Sequence, residues 1–193
     1  QQTEERRLVV ERNVPVDALY MAFHKCDRRH PDYHTFDLMS DILCNGRSSR
    51  LIQHLVQQKQ VFSSIDAYIS GSIDNGLIQI GGKPAPGVSL EEAEAAVWQE
   101  LEAMKTERID ESELEKVKNR YESEQIFSNI NYLNVATNLA FFELIGQAED
   151  INHEVEKYRA ITAERIMEVS KQTFVRENCS VLYYKSNVIQ SAT

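Results

Sequence analysis

Cysteine is scarce: Cys26, Cys44 and Cys179 are the three in 193 residues, an odd number at wide spacing. They form no CxxC pair and imply no disulfide framework. Free thiols fit a reducing compartment, and buried thiols also persist in a periplasmic protein, so either location is compatible. No apolar run approaches the roughly 20 residues needed to cross a bilayer as a helix. Basic residues are outnumbered, 21 Lys and Arg against 30 Asp and Glu, for a net charge of −9. That balance argues against nucleic acid and anionic membrane as main partners, because both need clustered Lys and Arg. The one basic cluster, Lys25 with Arg28 and Arg29, is interrupted by Asp27. The chain begins Gln1-Gln2-Thr3, without an initiator Met or a basic-then-apolar leader, which reads as a processed chain or a fragment of a longer one.

Catalytic signatures are missing too. There is no His-Glu-x-x-His and no His-x-x-Glu-His, the two helical zinc-protease motifs. Ser48 and Ser49 lie at a predicted helix start without the Gly-x-Ser-x-Gly of a nucleophile elbow. Asn45-Gly46-Arg47-Ser48-Ser49 lacks the Gly-Lys-Ser/Thr of a phosphate loop. Gly81-Gly82 opens no helix of the dinucleotide-binding kind. The acidic runs Glu91 to Glu94 and Glu111 to Glu115 read as solvated first turns favoured by the helix dipole. Cys26, His30 and His34, near His24, are residue types that suit zinc. Their spacing crosses a strand end, a Pro31 turn and a helix start, so convergence is not built in and they read as loop residues around a helix cap.

What is present is strongly patterned. Between Asp32 and Val56, Phe36, Met39 and Leu43 recur at i, i+3 and i+7, flanked by Leu38 and Ile42, which predicts an amphipathic helix. Asp32 after Pro31 is placed to cap it. Gly46 suits the left-handed position that closes a helix. Ser48 is placed to cap a second helix carrying Leu51, Ile52, Leu55 and Val56.

Elsewhere the period is two or helical by turns. Glu5 to Val10 is a candidate strand. Ala18 to His24 alternates Leu19, Met21 and Phe23 with Tyr20, Ala22 and His24. Ile65, Ala67 and Ile69 alternate with Ser64, Asp66, Tyr68 and Ser70, and Leu77 to Gly81 reads as the returning strand of a hairpin. Gly81 to Gly87 is the clearest loop. Ser89 with Glu92 predicts a capping box opening a helix to about Met104, and Asp110 with Glu113 a second, running through Leu114, Val117, Tyr121 and Phe127. Tyr132 to Ile145 is apolar enough to pack against that helix. Asn152 to Arg159 is a short helix; Thr162 caps another, with Ile166, Val169 and Phe174 inward. Cys179 to Lys185 closes as a strand. These pieces predict an α+β fold, a largely antiparallel sheet with helices on one face as a two-layer sandwich, in a single domain over 1–193.

Leu38 to Leu51 resembles the helix-glycine-Ser-Ser-Arg-Leu signature of pitrilysin/insulinase-type zinc peptidases. Val88 to Ala93, Ile109 to Leu114 and Ile161 to Ile166 match in order and spacing, so the resemblance covers nearly the whole chain. In that family two homologous halves form a clamshell around a peptide, and one half carries the zinc site. The resemblance implies a non-catalytic, C-terminal half of a longer zinc metalloendopeptidase. It implies zinc in the partner half, a homologous catalytic half-domain as partner, peptide as substrate, and no catalytic or metal-ligating residue here. The family's second half often contributes an Arg and, seven residues on, a Tyr that contact substrate. Counting from Ser48-Ser49-Arg50-Leu51 puts those positions at Val56 and Ser63, and Tyr68 lies too far along to take the role. The same family includes subunits that are structural cores of respiratory complexes, so a scaffolding subunit is the alternative.

Overall fold

The computed structural model describes residues 2–187. Five strands form one sheet: β1 (Arg6–Arg12), β2 (Ala18–Lys25), β3 (Phe62–Ile69), β4 (Gly76–Pro84) and β5 (Cys179–Ser186), in the order β1-β5-β2-β4-β3. β2 runs antiparallel to both neighbours, β4 and β5, and β3 with β4 forms the expected hairpin. β1 alone pairs in parallel, Arg6 opposite Ser180 through Arg12 opposite Ser186. The expected loop at Gly81 begins later, because β4 stays paired with β3 as far as Pro84 opposite Phe62. A bulge between Phe62 and Ser64 breaks the register there.

The α-helices that seal the core lie on one face. They are α1 (Tyr33–Cys44), α2 (Leu90–Thr106), α3 (Glu111–Ser128), α5 (Glu154–Arg159) and α6 (Ala163–Thr173). Leu19, Met21 and Phe23 of β2, Ile78 and Ile80 of β4 and Val181 of β5 meet Leu38, Met39, Ile42, Val97, Leu101 and Ile166 in one continuous cluster. Each such side chain contributes on the order of 1.5–3 kcal/mol when fully buried. The caps that hold these helices are partly those expected. Ser89 and Glu92 make the reciprocal box of α2, and Thr162 accepts from the Arg165 amide at the start of α6. Asp110 caps α3 through the Ser112 amide, but Glu113 does not reach back to complete a box. Asp32 precedes α1 without a side-chain cap; its carboxylate takes the Arg165 guanidinium instead.

The reason Glu113 is elsewhere lies in the segment after α1. Gly46, at φ +98°, turns the chain, as its place after Asn45 implied. The next helix is a π-helix, Ile52–Gln58, with no side-chain cap, so Ser48 does not cap it. Ser48 Oγ accepts from Lys116 Nζ at 3.0 Å, Arg50 donates to both Glu113 oxygens at 3.0 and 2.8 Å, and Arg120 Nη1 donates to the Asn45 carbonyl at 3.1 Å. Glu113, Lys116 and Arg120 stand at i, i+3 and i+7, one face of α3. That face clamps the Gly46 turn.

A further expectation, of packing rather than capping, fails. The helix over Tyr132 to Ile145, α4 (Tyr132–Ile145), forms within its expected bounds but does not pack on α3; Phe142 is its one buried residue. Its apolar residues surround the whole circumference instead of forming a stripe, so no single face matches the core. The short helix expected from Asn152 begins as a 3₁₀ turn, Ala148–His153, and becomes α5 at Glu154.

Candidate functional site

Alternation along each strand gives the sheet a second face that, among the described residues, no helix covers. One row crosses all five strands: Leu8 beside Leu182, then Tyr20, Gly81 and Asp66. The next row is Arg6, Ser180, Ala22, Gln79 and Tyr68. These side chains line a shallow groove of about 540 Å³. Tyr20 and Tyr68 are 48% and 52% exposed on it, and Leu8 is 60% exposed. Gly81 gives the Tyr20 ring room: a Cβ at this position would stand 3.1 Å from it, so glycine lets that ring lie against the neighbouring strand. Arg6 and Lys83 supply positive charge along the groove, and Asp66 negative. The groove offers aromatic and apolar surface with both signs of charge.

The positions singled out from sequence lie elsewhere. Val56 is half-buried on the π-helix, packed against the core on the opposite face. Ser63 sits at the bulge, its Oγ donating to the Pro84 carbonyl at 3.3 Å, at the rim beside Val16 and Asp17. Of the two serines after Gly46, Ser49 is buried with its hydroxyl donating to the Gly46 carbonyl at 2.6 Å, which leaves it no role as a nucleophile.

Cys26, His30 and His34 do not form a metal site. His30 Nδ1 accepts from the Asp32 amide at 3.1 Å. His34 Nε2 lies 3.0 Å from Glu154, with the Arg28 guanidinium 3.4 Å away, a cation where a metal would have to enter. Burial raises the Cys26 thiol pKa, against the thiolate form a metal needs. His24 points to the other side of β2, near Gln2. Among the described residues no three His, Cys, Asp or Glu side chains are grouped to hold a metal ion. The donor set does not fit zinc.

His34 belongs to a buried polar network that local pattern did not announce. Glu154 accepts from Arg28 at 3.0 Å and from Lys157 at 2.6 Å as well as facing His34. Burial pushes the Glu154 carboxyl pKa up, but these partners together outweigh burial and hold it at about 2. One turn along α1, Asp37 accepts from the Tyr158 hydroxyl at 2.5 Å, and the Tyr158 ring stacks on Tyr121 at 3.5 Å. Burial raises the pKa of Asp37 and of Tyr158. The network ties α1, α3 and α5 together and lies on the helix side, away from the groove. A hollow of about 510 Å³ beside it is walled by Arg29, Ile145 and Phe142. The acidic run at Glu91 holds a second exception: Glu94 is buried, accepting from Arg7, Trp98 and Tyr183.

No curated protein sequence matches this chain at a significant level. Solved structures match over almost its entire length. A protease from Helicobacter pylori is similar with a TM-score of 0.89 at 19% identity, over 95% of this chain and 45% of that one. The chain thus spans less than half of that protease. An inactive peptidase domain from Bordetella parapertussis is similar at a TM-score of 0.82 and 18% identity, over 95% of this chain and 98% of that one. A chain of complex III2 from Candida albicans, with Inz-5 bound, is similar at 0.77 and 16%, over 94% of this chain and 46% of that one. At these identities the likeness is one of fold. Residues 1–121 match the family model of the peptidase M16 inactive domain, and the chain belongs to that family, a non-catalytic domain related to zinc proteases.

Proposed function

We propose that this chain is the non-catalytic half of a zinc metalloendopeptidase. It pairs with a homologous zinc-bearing half, on the same or a separate polypeptide, so that the two enclose an unfolded peptide for hydrolysis. In this reading residues 1–193 are one domain of the assembled enzyme. The zinc belongs to the partner, where it supplies an activated water and polarises the scissile carbonyl. The observation that carries the reading is the helix-free sheet face with its groove, in a chain of an inactive-domain family.

This chain's residues then act as a wall that binds, orients and excludes water. A peptide lying along the strands meets apolar surface at Leu8, Leu182 and Tyr20, with Arg6, Lys83 and Asp66 available to its charged side chains. The net charge of −9 favours basic peptides through the long-range field. Expressed by itself, the chain is expected to carry no stoichiometric zinc and to cleave no peptide; adding its catalytic half should restore cleavage. Chelator-removable, stoichiometric zinc with peptidase activity in the chain alone would contradict the proposal.

A second reading, favoured by the fold likeness to a complex III2 chain, is a scaffolding subunit without a proteolytic role. The parent gene discriminates. A His-x-x-Glu-His upstream in the same frame, or in a neighbouring gene, decides for the peptidase.

A further inference from the structure

Asparagine followed by glycine occurs twice in the chain, at Asn45-Gly46 and at Asn75-Gly76. The pair is chemically labile wherever the chain can bend. The glycine amide nitrogen is then within reach of the asparagine side-chain carbonyl, and glycine has no Cβ to shield it. The structure gives the two pairs opposite surroundings.

Asn45 is held at three points. Its backbone amide donates to the Asp41 carbonyl at 2.9 Å, and its Nδ2 donates to Asp41 Oδ1 at 2.7 Å. Its carbonyl accepts from Arg120 at 3.1 Å. It is half-buried at the end of α1, inside the clamp that α3 closes on the Gly46 turn. The side chain cannot swing toward the Gly46 nitrogen without breaking this set.

Asn75 stands exposed in the turn between β3 and β4, and among the described residues its side-chain amide makes no hydrogen bond. Gly76 after it is the first residue of β4, at the end of the ladder with β2. The turn favours glycine there, because a Cβ would fall 2.2 Å from the Ser70 hydroxyl, which accepts from the Leu77 amide at 2.8 Å. The turn therefore keeps the glycine and leaves the asparagine free.

We propose that Asn75-Gly76 is a self-modification site, converted without an enzyme to aspartate and isoaspartate, while the fold protects Asn45-Gly46. The Gly76 nitrogen attacks the side-chain carbonyl carbon of Asn75. The new C–N bond closes a cyclic imide, and the side-chain nitrogen leaves as ammonia, taking the Gly76 amide proton with it. Water then opens the ring: its hydroxyl stays on the carbonyl carbon that it attacks, and its hydrogen goes to the glycine nitrogen as the C–N bond breaks. Opening at the side-chain carbonyl gives aspartate; opening at the main-chain carbonyl gives isoaspartate, with an added methylene in the backbone. Either product sets a new carboxylate beside Asp74, on a turn that borders Asp27 and Arg29 and accepts the Arg28 amide at the Ile73 carbonyl, 2.9 Å away. The proposal is independent of the peptidase reading, since it requires neither substrate nor zinc.

The test incubates the intact chain at mildly alkaline pH, where the amide nitrogen is more readily deprotonated, and maps its peptides by mass spectrometry. Amide-to-acid conversion at Asn75 should run at least about tenfold faster than at Asn45, which reacts only when its turn opens. In denaturant, where neither turn exists, the two rates should converge. A protein isoaspartyl methyltransferase with a labelled methyl donor should label the aged wild-type chain, and an aged Asn75→Gln variant much less, because the longer side chain closes the larger ring slowly. Asn75 is exposed, so an unchanged melting curve confirms that the variant is folded. Equal conversion of the two asparagines in the folded chain overturns the proposal, as does a difference that persists in denaturant. So does labelling undiminished in the Gln variant.

Discussion

α4 and α6 are helices of comparable length that meet opposite fates. α4 is the more apolar, with Leu, Val, Ala, Phe and Ile on every side, yet it buries Phe142 alone. α6 carries Glu, Arg, Lys and Gln, yet it buries Ala163, Ile166, Val169, Ser170 and Thr173. The difference is spacing. Residues 163, 166, 169, 170 and 173 fall on one stripe that fits the sheet, whereas the apolar residues of α4 have no common direction. Apolar content draws a helix out of water, but periodicity decides whether this domain's own core receives it.

The comparison breaks most visibly at the stripe of α6. Ile166→Ala, at a position with no exposure, is expected to cost about 4 kcal/mol in urea unfolding, combining lost transfer energy with a cavity. Glu154→Gln, on the short helix between the two, should cost about 3 kcal/mol near neutral pH by leaving Arg28 buried without its counter-charge. The sign of the pH effect follows from the depressed carboxyl pKa. The stability Glu154 contributes is present above the ordinary carboxylate range and is lost as pH falls toward about 2. The Gln variant should therefore lose part of the wild-type acid limb in a pH series of melting curves.

On α4 the effects should be smaller and local. Phe142→Ala is expected to cost about 1 kcal/mol globally while removing hydrogen-exchange protection from α4 selectively, because that side chain is the helix's anchor. Leu133→Ser should change stability by no more than about 0.5 kcal/mol. A loss comparable to that of Ile166→Ala would mean that α4 is sealed by this domain after all.

Sequence pattern revealed elements better than it revealed their partners. The alternation of Leu19, Met21 and Phe23 against Tyr20 and Ala22 separates the buried from the bare face of β2, and Ser89 with Glu92 marks the start of α2. Which residues share a row on the bare face depends on register, as in Tyr20 beside Gly81 and Leu182, and local pattern does not encode it. Likewise Arg28, His34 and Glu154 meet across separations of 120 residues and more. The one local hint was that His34 and Asp37 fall among the apolar residues of α1. Glu113 shows the same limit from the other side: its spacing from Asp110 suits a capping box, but Arg50, 63 residues away, offers it two donors.

The central claim is that the bare sheet face borders the peptide in an assembled enzyme. Ala22→Trp tests it directly, since Ala22 lines the groove and a larger side chain there fills the groove without entering the core. With the catalytic half present, the account predicts unchanged zinc content and melting temperature and a KM for peptide raised at least about tenfold, with kcat much less affected. An unchanged KM and kcat for every peptide tested, in a folded and zinc-loaded assembly, would contradict it.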